Sequence, residues 1–205
     1  MNKIKLVVFA IVSFAFKYAE PVKNAYTLSE DYQVIIKGTS NIHSWSEKVE
    51  TVTGDGTVNL NKDGSFDLET ISIKMNVHSI KSDLGVIMNN NTYKALKADA
   101  NPQIVFSLAE PVKSIQPEPQ EKMIAVKGNL TIAGVTKVIN MKVKIRLQEY
   151  GKLSFEGRQL ISMSDYDVKP PIALFGTLKT GNEIIISFKT NFILKQSLLS
   201  VNSHH

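Results

Sequence analysis

Four kinds of side chain in this sequence have the chemistry to do work. They are the histidines His43, His78, His204 and His205, the carboxylates Asp165 and Asp167, the single tryptophan Trp45, and long runs of apolar residues at every second position. Catalysis and metal binding draw on the first two. His78 has no histidine or carboxylate at i+2 or i+4, His43 has only Glu47 at i+4, which does not complete a ligand set, and His204 and His205 end the chain. Asp165 and Asp167 are two residues apart in a stretch that reads as a loop, which does not define an acid–base pair. There is no Gly-x-Ser-x-Gly elbow, no phosphate loop and no cysteine. The expectation is a protein with no catalytic residues, no metal and no cofactor, and not an enzyme.

The alternating runs are the stronger signal. In 138–148 the odd positions carry Ile139, Met141, Val143, Ile145 and Leu147, and the even ones Asn140, Lys142, Lys144 and Arg146. Period two with one apolar face describes a strand covered on one side and wet on the other. The same pattern recurs in 153–163 through Leu153, Phe155, Ile161 and Met163, in 123–132 through Ile124, Val126, Leu130 and Ile132, and in 183–194 through Ile184, Ile186, Phe188, Phe192 and Leu194. Further strands are expected over 33–39, 47–60, 65–77 and 104–112. A bulge is expected between Leu68 and Ile71, where the apolar face switches, and a bend at Gly128. Asn61–Gly64 and Tyr150–Lys152 are turn signals. Residues 82–97 break the alternation and predict a short helix, capped by Ser82 or Asp83 and interrupted at Asn89–Asn91. Residues 111–121 and 164–182 read as loops. About eight strands and one helix, without strand–helix alternation, give an all-β fold, an antiparallel barrel with the helix over one end.

Composition bounds the partners. Four of the 24 basic residues and one of the 19 acidic ones lie in residues 1–25, which leaves 20 against 18 in the remainder. Such a domain lacks a nucleic-acid footprint. Lys3 and Lys5 precede an apolar run of 11 residues, Leu6 to Phe16, which suits an export signal and falls short of the ~20 residues needed to span a bilayer. Residues 1–25 are therefore expected to be a signal peptide, 26–194 the domain, and 195–205 a tail.

Several stretches carry a resemblance. The succession Val77–Ser82, Tyr93–Lys97 and Asn101–Phe106, the turn Gly128–Lys137 (GNLTIAGVTK), the stretch Gly38–Trp45 and the late Phe175-Gly176 are similar to the YceI-like family over about residues 26–194. The resemblance implies an extended lipocalin-like barrel in the periplasm or cell envelope, holding a polyisoprenoid or related amphiphilic lipid, with homodimers and transient membrane contact. The chain departs from the family pattern in a longer Thr/Gly-rich strand at 49–60 and in Asp165–Pro171. On this reading the inward apolar register lines the lipid site: Phe106, Ile124, Val126, Met141, Val143, Ile145, Phe155, Met163, Ile186 and Phe188, with Trp45 at the rim or as a plug. The expected function is a periplasmic carrier. The alternative is a structural or stress-related envelope protein whose barrel is packed solid.

Overall fold

The computed structural model describes residues 23–117, 123–173 and 177–195. In chain order its elements are β1 (Lys23–Ser40), β2 (Ser44–Val49), β3 (Val52–Leu60), β4 (Phe66–Asn76), β5 (Ile80–Ser82), α1 (Val86–Ala95), β6 (Gln103–Leu108), β7 (Val112–Ile115), β8 (Met123–Ile132), β9 (Val135–Leu147), β10 (Leu153–Ser162), β11 (Ile172–Ala173) and β12 (Leu178–Leu194). Eight of the strands close an antiparallel barrel in the order β1–β3–β4–β6–β8–β9–β10–β12, with β12 returning to β1. The expected fold class is the one observed.

Alternation explains why the ring closes on an apolar interior. Along β9, Val143 and Ile145 are buried while Lys142 is exposed, and β8 matches it with Val126, Leu130 and Ile132. The two strands pair without a slip from Met123↔Lys144 to Ile132↔Val135, so both apolar registers face inward together. Their hairpin is a two-residue turn with Ala133 at φ 49° and Gly134 at φ 85°, the double positive φ that suits the twist of the strands it joins. Between β3 and β4 the Asp63 carboxylate accepts from Ser65 N–H at 3.0 Å and Ser65 Oγ at 2.7 Å, and these bonds hold its pKa low. The bulge lies where the face switches: Thr57 pairs with Thr70 but Val58 with Leu68, which leaves Glu69 extra.

The structure corrects several boundaries. The stretch 47–60 is two strands, because the backbone breaks at Glu50–Thr51. There Tyr32 Oη donates to Glu50 O at 2.7 Å and accepts from Val52 N–H at 3.2 Å. Before the break β2 pairs with β1 and β5, and after it β3 pairs with β4 and the start of β1. The helix runs through Asn89–Asn91 without interruption and is capped by Gly85, not by Ser82 or Asp83. Ser82 belongs to β5 instead, and its N–H donates to the buried Asn89 Oδ1 at 2.8 Å, which pins the helix to the barrel. The expected strand 104–112 ends at Leu108, and β7 arises inside the expected loop 111–121 by pairing Val112 and Ile115 with β4. In 164–182 a 3₁₀ turn over Met163–Tyr166, the short β11 and the start of β12 replace most of the loop. Of the expected signal peptide 1–25, residues 1–22 lie outside the described residues and Lys23 to Ala25 begin β1; Phe175-Gly176, His204 and His205 also lie outside them.

Gly128 makes no bend, since β8 keeps its register there. It is needed because the Phe106 ring of the neighbouring strand lies where a Cβ would stand. Gly128→Val should therefore overpack the barrel and cost about 1–3 kcal/mol, read as a fall in the urea midpoint. Phe106→Leu in the same chain should recover part of that loss; independent, additive losses would show that the ring is not the obstacle.

Candidate functional site

Two cavities lie inside the barrel. The first, about 90 Å³, is walled by β4, β6, β8, β9, β10 and β12 with Val34 of β1, and only Gln159 and Thr190 interrupt its apolar lining. Eight of the residues expected from the alternation line it: Phe106, Val126, Met141, Val143, Ile145, Phe155, Ile186 and Phe188. The second, about 70 Å³, lies under α1, which contributes Met88, Thr92 and Ala95, with Leu96 just beyond its end. Met163 and Trp45 line this second space, and Ile186 lines both. Ile124 lines neither; half-buried near the start of β8, it packs against the core from the strand's end.

Trp45 is fixed on two sides. Its Nε1–H donates to Thr39 O at 3.1 Å, and its ring occupies the space that a side chain at Gly38 would need. The indole thus forms wall at the helix end, with its polar edge satisfied.

The alternation did not single out the polar groups of the interior. Glu47 lines the second cavity at only 3% exposed, and Thr92 Oγ1 donates to its Oε1 at 2.6 Å. Burial pushes the Glu47 pKa up, and the Thr92 hydrogen bond opposes that in part. Tyr166, buried between the exposed Asp165 and Asp167, lines the same cavity. Its hydroxyl, like that of Thr190 in the first cavity, is enclosed without a hydrogen-bond partner among the described residues. A signal existed for two of these. Glu47 sits in the inward register between Trp45 and Val49, and Thr190 sits between Phe188 and Phe192; a polar residue in an apolar register marks either a break or a site.

The barrel wall is incomplete at one place. β9 and β10 pair only from Leu147↔Leu153 to Val143↔Gly157. Beyond that they part, and a groove of about 370 Å³ opens between 137–140 and 159–162. Ile139 and Gln159 face both this groove and the first cavity, while Ile161 and Tyr166 face both it and the second. Val138 and Leu160 lie exposed along it, at 57% and 54%.

The two described histidines, His43 and His78, are peripheral. His78 Nε2 lies 3.8 Å from Asp99 Oδ1 at the surface, and the ring packs on Tyr93; His43 is exposed in the β1–β2 turn. Among the described residues no group of three or more His, Asp or Glu converges as for a metal.

Residues 32–192 match the YceI-like domain family. Among solved structures, a polyisoprenoid-binding domain from Saccharophagus degradans, implicated in plant cell wall breakdown, is similar at TM-score 0.62 and 12% identity, over 84% of this chain and 99% of that one. Burkholderia cenocepacia BcnA is similar at TM-score 0.57 and 17% identity, over 78% and 95%. A mutant Campylobacter jejuni YceI protein is similar at TM-score 0.53 and 15% identity, over 74% and 85%. No curated protein matches the chain.

Glu47 gives a pH signature. Because burial raises its pKa, the native state holds the proton to higher pH than the unfolded chain does. Below about pH 4.5 both states are protonated and the term vanishes; as pH rises through the folded value, stability is lost and then levels off. Glu47→Gln, which still accepts from Thr92, should be more stable than the native chain at pH 7.5 and show a smaller gain at pH 4. Urea midpoints at both pH values test this, and an equal difference at the two would mean that the carboxyl is not held neutral by burial.

Proposed function

This chain belongs to the YceI-like family, and on that premise we propose that its barrel holds a long isoprenoid or similar amphiphilic lipid as a carrier in the cell envelope. The observation that carries the reading is the apolar interior: two adjacent cavities have Ile186 as a common wall residue and adjoin a gap in the wall between β9 and β10. The polyisoprenoid-binding relative with the same fold supports the choice of lipid. Lys3, Lys5 and the apolar run after them support export. A cut after Ala25 would remove the first three residues of β1 and leave Tyr26, which is buried, to begin the strand.

Magnitudes define what such a carrier can do. Burying roughly 40 isoprenoid carbons at ~0.8 kcal/mol each gives on the order of 30 kcal/mol against water, beyond the ~18–21 kcal/mol at which real affinities saturate. The relevant exchange is with a bilayer, where the tail is already in hydrocarbon, so the transfer is near neutral. Polar contacts and the route of entry then decide occupancy. The β9–β10 gap gives a lateral route, by which a tail leaves hydrocarbon for barrel without crossing water end first. Leu84, Val86 and Ile87, exposed at the start of α1, support contact with the membrane during that exchange.

A packed structural barrel is the second reading. It is favoured by one fact: Phe106, Val126, Val143, Ile145 and Phe155 are each less than a tenth exposed and belong to one core cluster.

Mass spectrometry of protein purified from the envelope should find a chain lacking Met1 through about Ala25 and an extractable long-chain lipid. Val143→Phe then separates the readings. In a carrier the ring fills cavity volume, so the lipid-free protein keeps its stability while bound lipid falls. In a solid barrel the same change costs about 1–3 kcal/mol of lipid-free stability, and that result would favour the structural reading. The route has its own test. Cysteines at Asn140 and Leu160, on the two sides of the gap and joined by a short bismaleimide, should slow lipid transfer between vesicles by at least tenfold. Unchanged transfer would remove the lateral route.

A further inference from the structure

The two cavities differ in their polar groups. Glu47, Thr92 and Tyr166 gather in the wall of the second, and both Glu47 and Tyr166 are at least nine-tenths buried. Thr92 answers one carboxyl oxygen of Glu47, while the Tyr166 hydroxyl is enclosed without a partner among the described residues. Enclosed polar groups of this kind are costly unless something bonds to them. In the first cavity the Gln159 amide donates to Leu160 O at 3.0 Å, which leaves Thr190 as its lone unmet hydroxyl. No Lys, Arg or His is among the described residues lining either cavity.

These facts select a chemistry. A phosphate or diphosphate in the second cavity would bring negative charge into apolar surroundings, beside a carboxyl and with no cation to pair with. A hydroxyl or carbonyl oxygen suits the same wall, because it can accept from Tyr166 Oη–H and share a hydrogen bond with the Glu47 carboxyl. Burial favours the protonated form of Glu47, which donates.

We propose that the second cavity is the head-group end of the lipid site, built for an uncharged, oxygen-bearing head and against a phosphorylated one. Glu47 and Tyr166 contact the head, and the tail runs past Ile186 into the first cavity. The proposal rests on the reading that the barrel holds a lipid.

Trp45, the only tryptophan, lines this cavity, so its emission reports occupancy directly. Delipidated full-length protein is titrated with three probes of equal carbon count below their micelle concentrations: geranylgeraniol, geranylgeranyl diphosphate and the headless hydrocarbon phytane. Geranylgeraniol should bind at least tenfold more tightly than the diphosphate. Tyr166→Phe should weaken geranylgeraniol about fivefold, the worth of one hydrogen bond, and leave phytane unchanged. Thr190→Val should leave the preference intact. A diphosphate that binds as tightly as the alcohol overturns the head-group assignment, as does an alcohol-to-hydrocarbon ratio that survives Tyr166→Phe or collapses in Thr190→Val. If all three probes bind alike, lipid binding stands and this assignment falls. If none binds, both fall together.

Discussion

Everything in this fold depends on the pairing of β1 with β12. These two long strands join from Tyr26↔Leu194 to Ser40↔Thr180 and turn an eight-strand sheet into a ring. An open sheet with the same alternation would expose an apolar face and two edges of unpaired backbone. Closure removes the edges and lets every inward register face every other across one interior. Phe192 of β12 shows how the closure is packed: it is fully buried, meets the Phe155 ring edge-on with centroids 5.4 Å apart, and lies opposite both Leu28 and Leu153 in the ladders on its two sides.

Besides the bulge between β3 and β4 and the register shifts between β1 and β12, the ring departs from pairing at two places, and near each a polar side chain reaches the second cavity. At Glu50–Thr51 the chain passes from β2, which pairs with β5 outside the eight-strand ring, into the barrel strand β3; Tyr32 bridges the broken backbone with its hydroxyl. This detour puts Glu47 beneath the helix, within reach of Thr92. Between β9 and β10 the ladder stops at Val143↔Gly157, and the strands splay around a groove that touches Tyr166. Buried backbone groups are ordinarily paired, so a sheet gives up ladder bonds only where something else uses the space. Here each lapse brings a polar side chain to an otherwise apolar interior.

The distinction also explains what the sequence made legible. Period-two alternation depends only on which side of a strand meets hydrocarbon, so Val126, Val143, Ile145 and Phe155 could be assigned inward from their neighbours alone. The Leu68–Ile71 face switch exposed a bulge for the same reason. What stayed hidden were features that depend on partners distant in sequence. The break at Glu50–Thr51 is set by Tyr32, roughly twenty residues earlier, and by Ser79, whose carbonyl accepts from Glu50 N–H at 3.0 Å. The helix cap at Gly85 left Ser82 free to join β5, and the Asn89 that looked like a helix breaker is the residue that ties the helix down. In the candidate site, Tyr166 was masked by its neighbours, because Asp165 and Asp167 drew the chemical reading to two exposed carboxylates on either side of the buried phenol.

Apolar burial alone cannot make a barrel of this kind selective. Each methylene contributes about the same ~0.8 kcal/mol whichever lipid carries it, and in exchange with a bilayer even that sum nearly cancels. Selection therefore falls to groups that distinguish one head from another, and these must sit where water cannot answer them. A surface carboxyl would be hydrated and nearly indifferent to a passing hydroxyl, whereas an enclosed one has lost its water and gains by any partner it meets. Glu47 and Tyr166 satisfy that condition by burial, and the residues that bury them are the apolar ones of the shared interior, Trp45, Ile161, Met163 and Ile184 among them. The hydrophobic wall thus has two physical roles. In the proposed carrier it would offer the tail a medium equivalent to the one it leaves, and by stripping the polar groups at the helix end of solvent it would turn a small difference in head-group chemistry into a difference in occupancy.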